Sequence, residues 1–356
     1  MKIVRFLFLT GLIRSAWPEP VQWGISFPPG RTPNELAFTA VYYQKAGIKR
    51  LRLSENWSLR EPKKGSFNWP PLDARVNWAD KNHFLLMLTL ETEAPDWARS
   101  PAPPRGNGFC RSEDDFRRYI SALLDRYAGK LDKIQFGNEW DSFAGYNGTA
   151  ADYLRFHQIV AEETRRRSPQ TKVILGGITA AWPWYTEGAA RIKTIHFPEN
   201  MPWATDYSAE RLLNKLVRAR KKWETNGFEQ RFITVLSRAS FDILDIHLYD
   251  FPEQWAWMIE SFRKLCSRPI IVSEFGCPNP EYEKYSQIYQ AERLELAMNT
   301  LAQLPISEAY HFTLVDHPGA YHKQNGLLNT RGKEKKAWAV FTAFIKKQSI
   351  AVYTNR

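Results

Sequence analysis

Cysteine is scarce in this 356-residue chain, which carries three: Cys110, Cys266 and Cys277. Three thiols cannot all pair with one another, and no C-x-x-C spacing occurs. Neither a disulfide framework nor a cysteine metal site organises the fold. No apolar run approaches the ~20 residues of a membrane span, so none is expected. The seven histidines are dispersed, without the H-x-H pair that a metal hydrolase would place near its first strand. A G-x-S-x-G elbow for serine chemistry is missing, as is the glycine fingerprint of a nicotinamide enzyme. The expectation is a protein with neither metal nor organic cofactor.

Aromatic rings, by contrast, are plentiful: 14 Trp, 15 Tyr and 21 Phe. Such rings line sites for sugars, whose C–H faces stack while their hydroxyls seek polar groups. A formal charge of +11 invites a nucleic-acid or acidic-polymer reading. The basic residues are scattered, however, with short clusters at Arg165 to Arg167, Lys215 to Lys222 and Lys333 to Lys336. The first two clusters fall late in predicted helices, where cations suit the helix dipole. They read as solvated helix surface, and nucleic acid is not an expected partner. Residues 1–20 form a separate N-terminal segment. Met1 to Arg5 is basic and Phe6 to Ile13 apolar, as in a signal peptide, but the run is short and Arg14 sits where a small residue would aid cleavage. Secreted, periplasmic and cytoplasmic locations all stay open, as does the oligomeric state.

Short apolar runs alternate with longer amphipathic ones, the mark of parallel α/β architecture. Strands are predicted at Gln22–Phe27, Arg50–Leu53, Phe84–Leu90, Lys133–Gly137, Lys172–Gly177, Ile243–Leu248, Pro269–Val272 and Glu308–Thr313. Most are β-branched or aliphatic, as strands buried on both faces are. The ends of the helices between them are also legible. Thr32 before Pro33 and Glu35 gives an N-cap, a proline at the first helical position and a capping-box acid, and Gly47 stops that helix. Ser112 with Asp115 opens another, followed by Phe116, Tyr119, Ile120, Leu123, Leu124 and Tyr127 on one face. These elements predict a single-domain (β/α)8 TIM barrel over residues 21–350. A doubly wound sheet would carry a glycine-rich phosphate turn after its first strand. The longest excursion, about 178–239 after the fifth strand, reads as a loop over the barrel mouth plus a helix near Ala209–Lys222.

In such a barrel, chemistry lies where strands end at the C-terminal face. The fourth strand runs into Asn138-Glu139-Trp140, and the seventh into Ser273-Glu274-Phe275-Gly276. Each puts a carboxylate beyond a buried apolar run, where an unpaired charge is costly and so is either ion-paired or useful. Two of them around one mouth favour chemistry. Glu91 and Glu93, after the third strand, read as binders of substrate or solvent.

These strand ends resemble the paired motifs of clan A glycoside hydrolases, and the likeness runs from Arg52 to Trp338. Arg52, Trp57, Glu61-Pro62, Gly65, Phe67 and Trp69 look like the R…NW…EP..G.F.W passage of β-xylosidase-like and cellulase-like members. Ala94-Pro95-Asp96-Trp97-Ala98 is similar to the clan's P-x-W-A turn, and His247-Leu248-Tyr249 to its H-x-Y. Gly326-Leu327-Leu328 and the lysine-rich turn before Ala337-Trp338 resemble its closing segment.

The resemblance implies cleavage of a β-linked glycosidic bond with retention, Glu139 acting as acid/base and Glu274 as nucleophile. Their carboxyl groups would then lie about 5–5.5 Å apart. It further implies that Arg52 keeps Glu274 anionic, Tyr249 hydrogen-bonds it, and Asn138 holds the sugar 2-hydroxyl. His247 packs beneath the site or touches substrate, and Trp97, Trp140 and Trp182 are further substrate-binding candidates. One departure stands out. The clan ends its eighth strand in a tryptophan platform, whereas here His311 takes that place, with Phe312 or a loop residue as the substitute ring. The expected partner is an oligosaccharide or polysaccharide. The alternative is an inactive barrel that binds a glycan or an acidic polysaccharide, and transglycosylation would use the same residues as hydrolysis.

Overall fold

The computed structural model describes residues 20–28, 30, 32–99, 110–142, 145–146, 148–192, 209–249, 251–280 and 283–354. The N-terminal segment, but for its last residue, lies outside these, as do residues 193–208 of the long excursion. Eight strands form: β1 (Gln22–Ser26), β2 (Arg50–Glu55), β3 (Leu85–Leu90), β4 (Lys133–Phe136), β5 (Lys172–Ile178), β6 (Ile243–Leu248), β7 (Ile270–Phe275) and β8 (Glu308–Phe312). They pair in chain order, all parallel, and β8 returns to β1 to close a (β/α)8 barrel. Parallel neighbours need crossovers, and a helix follows every strand. The excursion after β5 holds the helices Ala181–Thr186, Gly188–Ile192, Ala209–Thr225 and Phe228–Arg238.

Local chemistry sets the helix ends. Thr32 Oγ1 accepts from the Glu35 N–H at 3.3 Å, and Glu35 Oε2 accepts from the Thr32 N–H at 2.9 Å. That reciprocal pair opens Pro33–Ala46, and Gly47 closes it at a φ of 72°. Ser112 Oγ caps Glu113–Arg126 through the Asp115 N–H. Each such cap is worth about 1 kcal/mol. All three cysteines are free thiols, and among the described residues no helix is long and apolar enough to cross a membrane.

Alternate residues of each strand face the barrel axis and stack in layers. At the bottom, Lys133 lies 2.9 Å from Glu308, with Arg50 at 3.5 Å. Met87, Ile174 and Ile271 form an apolar plug above them. Next comes a wholly buried polar layer of Ser26, Arg52, Thr89, Gln135, Asp245 and Ser273. Gln135 Nε2 reaches Asp245 Oδ2 at 2.6 Å across β5. Only glycine allows this, because a Cβ on Gly176 would sit 2.2 Å from the Asp245 Cβ. The mouth lies one layer higher.

Two strands end more than one residue beyond the sequence expectation, and both differences shape the site. β7 continues through Phe275 rather than stopping at Val272, so Glu274 belongs to the strand. A register shift sets Ile246 opposite Val272 but His247 opposite Glu274. The extra residue in β7 lets Ser273 and Glu274 both point inward, a displacement of the kind a β-bulge produces. β2 likewise runs on to Glu55, which places Ser54 at the mouth.

Candidate active site

Arg52 organises the site from below. Its Nη1 donates to Ser26 Oγ at 3.1 Å and to Glu274 Oε1 at 2.5 Å. Its Nη2 donates to Gln135 Oε1 at 3.1 Å and to Asn138 Oδ1 at 2.6 Å. Thr89 Oγ1 also donates to Gln135 Oε1, at 2.6 Å. Asp245 completes the layer by accepting from the Ser273 N–H at 2.8 Å and from Ser273 Oγ at 2.6 Å. The guanidinium is therefore locked by partners that are themselves bonded, which fixes a planar donor that matches carboxylate geometry.

Glu274 is buried, and both of its oxygens are taken: Oε1 by Arg52 and Oε2 by the Tyr249 hydroxyl, which donates at 2.6 Å. Burial alone would raise its pKa. The charges of His247 and Arg52, together with the Tyr249 and Arg52 hydrogen bonds, outweigh burial and hold it below the ordinary glutamate range. Glu139 is more open, with 31% of its side chain exposed. Its Oε1 lies 3.0 Å from His247 Nδ1, and His247 Nε2 lies 3.2 Å from Ser273 Oγ and 3.7 Å from Glu274 Oε1. Burial pulls the His247 imidazole down, but the neighbouring carboxylates, Glu274 foremost, leave it raised. The Glu139 backbone adopts a φ of 49°, a left-handed value uncommon outside glycine. Asp141 anchors the segment that follows by accepting from the Thr179 N–H at 3.0 Å and Oγ1 at 2.7 Å. Burial pushes the Asp141 carboxyl up to about 7.

The structure thus gathers Arg52, Asn138, Glu139, His247, Tyr249 and Glu274 around one mouth. Phe312 joins them, its ring edge-on to Tyr249 at 6.1 Å and to Phe27 at 5.5 Å. His311 does not. It faces away from the axis, wholly buried between Phe275 at 5.3 Å and Phe341 at 5.7 Å. Burial lowers its pKa to about 3 and keeps it neutral. Phe312, not His311, therefore reaches the mouth, because strand parity turns the two residues to opposite sides. Trp140 is also corrected: it is fully buried, packed on Tyr153 at 4.9 Å and on Phe232. Trp97 donates its indole N–H to Glu61 O at 2.8 Å and abuts Trp57, so it braces the loop after β3. Trp182 stacks on Phe232 at 4.9 Å, against the helix Phe228–Arg238. Of the two extra carboxylates, Glu93 pairs with Arg99 at 2.7 Å, while Glu91 comes to the mouth.

Sequence reasoning missed His322, whose ring lies flat on Tyr249 at 3.7 Å between centroids. Burial lowers it to about 4, so this stack is neutral. No motif marks it, since a loop brings it there. Gln135, Asp245 and Ser273 were also missed, although each is polar at an inward position of an otherwise apolar strand. Glu139, His247 and Glu274 each offer an atom within 4.8 Å of the others, a spacing a cation could use. The Arg52 guanidinium already supplies positive charge there.

Replacing Arg52 with Met should show how far the site depends on it. Glu274, Gln135 and Asn138 would all lose a buried partner, and breaking such a pair costs about 3–5 kcal/mol. The expected result is a clearly lowered midpoint in thermal unfolding. An unchanged midpoint would mean that the layer tolerates the loss.

Residues 196–341 match the family described as glycosyl hydrolase catalytic core. The match includes Glu274, His247 and Tyr249. No curated protein matches the chain. Among solved structures, the chain is similar to a family 39 glycoside hydrolase from Bacteroides cellulosilyticus WH2 at 13% identity and TM-score 0.63. That alignment covers 92% of this chain and 63% of the other. GH5_18 from Streptomyces cattleya in complex with GlcNAc aligns at 13% identity, over 94% of this chain and 81% of that one, with TM-score 0.67. Xylanase 10B from Thermotoga petrophila RKU-1 in complex with xylobiose aligns at 12% identity, over 92% and 95%, with TM-score 0.57. At such identities the shared feature is the barrel. The family match spans the second half of the barrel, from residue 196 to residue 341.

Proposed function

We propose that the protein cleaves a β-linked glycosidic bond of an oligosaccharide or polysaccharide by double displacement. Glu139 is the acid/base and Glu274 the nucleophile. One observation carries this reading: carboxylate oxygens of Glu139 and Glu274 lie within 4.8 Å of each other. Retaining enzymes hold their carboxyl groups about 5–5.5 Å apart, whereas inverting ones leave about 6.5–9.5 Å for a water.

In the first step a Glu274 oxygen bonds to the anomeric carbon as the glycosidic C–O bond breaks, and Glu139 gives its proton to the departing oxygen. In the second, water gives a proton to Glu139 and attacks the same carbon, and Glu274 leaves as carboxylate. Arg52 and Tyr249 hold Glu274 charged and aimed. His247 orients the Glu139 carboxyl through Nδ1. Asn138, whose Oδ1 is committed to Arg52, presents its amide N–H groups to the sugar 2-hydroxyl, a contact that strengthens in the transition state. Phe312 and Phe27 supply apolar surface for the sugar's C–H face. A pure glycan binder would have no use for a charged carboxylate saturated by Arg52 and Tyr249 beneath an orientable acid.

Proton NMR of the first-formed sugar from a panel of aryl β-glycosides tests this. The β-anomer should appear first, and an initial α-anomer would overturn retention. The pH profile gives a second check. Because Glu274 is depressed, the ionised form needed for attack persists below its ordinary pKa of about 4.3. Activity falls only as pH drops through that lower value, so the acid limb of kcat/KM should lie below about pH 4.3. The same group stabilises the fold above that range and stops doing so below it. An acid limb near neutrality would contradict the assignment.

A further inference from the structure

Glu91 is a carboxyl at the mouth that the mechanism above does not use. It follows β3 on the inward parity: Met87 lies in the apolar plug, Thr89 bonds Gln135 in the polar layer, and Glu91 comes next. Ser54, on the mouth layer of β2, donates its hydroxyl to Glu91 Oε1, and the Glu91 N–H donates to Glu55 O at 2.9 Å. Among the described residues no cation forms an ion pair with it. Arg52 is committed to Ser26, Gln135, Glu274 and Asn138, and Arg99 to Glu93. Burial, with the charges of Glu274 and Glu139, raises its pKa against the Ser54 bond and Arg52. A carboxyl oxygen in such a place gains most from a hydroxyl partner.

Its position also selects which sugar would supply that hydroxyl. Ser54, which holds Glu91, stands two residues along β2 from Arg52, which holds Glu274, so Glu91 faces the side of the mouth taken by the sugar that bonds to Glu274. We propose that Glu91 is a specificity-determining residue that binds a hydroxyl of the glycone, the sugar whose anomeric carbon meets Glu274. This inference rests on the glycosidase reading above.

The test compares wild type, Glu91→Ala and Glu91→Gln on an aryl β-glycoside and on its series of monodeoxy analogues. Glu91→Ala should lower kcat/KM on the parent glycoside by about 10- to 100-fold, the range for a hydrogen bond to a charged group. Glu91→Gln, which keeps the side-chain volume and one acceptor oxygen, should lose less. On one analogue, the one that lacks the recognised hydroxyl, wild type and Glu91→Ala should agree within about threefold. Equal losses across every analogue, or no loss on the parent, would overturn the assignment while leaving the glycosidase reading intact. Absence of wild-type turnover on every glycoside would remove that reading and this inference with it.

Discussion

Glu274→Ala should abolish hydrolysis, lowering kcat by about 10⁴- to 10⁶-fold, the scale on which loss of a catalytic nucleophile or its partner is felt. The size follows from the absence of any substitute. Arg52 and Tyr249 stabilise a carboxylate and cannot attack carbon themselves, and Glu91 is held by Ser54 on another strand. The substitution also leaves the Arg52 guanidinium without its charged partner, so stability should fall too. Glu274→Gln separates these effects, because the amide oxygen can still accept from Arg52 while its nucleophilicity is gone. Both variants should be inactive, and the glutamine form should unfold closer to wild type. The cavity left by alanine faces the guanidinium and would admit a small anion. Azide added to Glu274→Ala with an activated aryl β-glycoside should therefore attack from the vacated side and release the α-glycosyl azide. Full activity in Glu274→Ala would end the nucleophile assignment.

Much of the barrel was legible because its signals are periodic. Buried parallel strands read as aliphatic runs, and caps such as Thr32 with Glu35, or Ser112 with Asp115, mark helix starts through local bonds alone. The Glu139 and Glu274 motifs were legible because charge at the end of a buried strand needs a reason. The errors lie where position depends on tertiary packing. Trp140 sits in the loop after β4, where no period tells a sugar platform from a ring that packs on its neighbours, here Tyr153 and Phe232. His311 was matched by place in a motif, but the axis-facing set of β8 is Glu308, Tyr310 and Phe312. The alternation alone could have chosen Phe312. The polar layer could also have been found, since Gln135 and Asp245 interrupt apolar strands at inward positions. His322 could not, because only the folded loop sets it on Tyr249.

Glu139→Ala should fail differently, and the contrast separates the two roles. Loss of a general acid costs about 10²- to 10⁴-fold where the leaving group needs a proton, as an alkoxide from a sugar does. A dinitrophenyl glycoside leaves without that help, so its first step should stay fast while the second, now without a base, slows. Glycosyl-enzyme should then accumulate, visible as a burst of phenol, a lowered KM and a mass increment on Glu274. Azide needs no base and should restore turnover of this intermediate. It attacks from the side opposite Glu274, so the product should be the β-glycosyl azide, the opposite anomer to that from Glu274→Ala. His247 would lose its Nδ1 partner in this variant but keep Ser273, so the fold should persist. If the anomers came out exchanged, with β from Glu274→Ala and α from Glu139→Ala, the roles of the two glutamates would have to be exchanged as well.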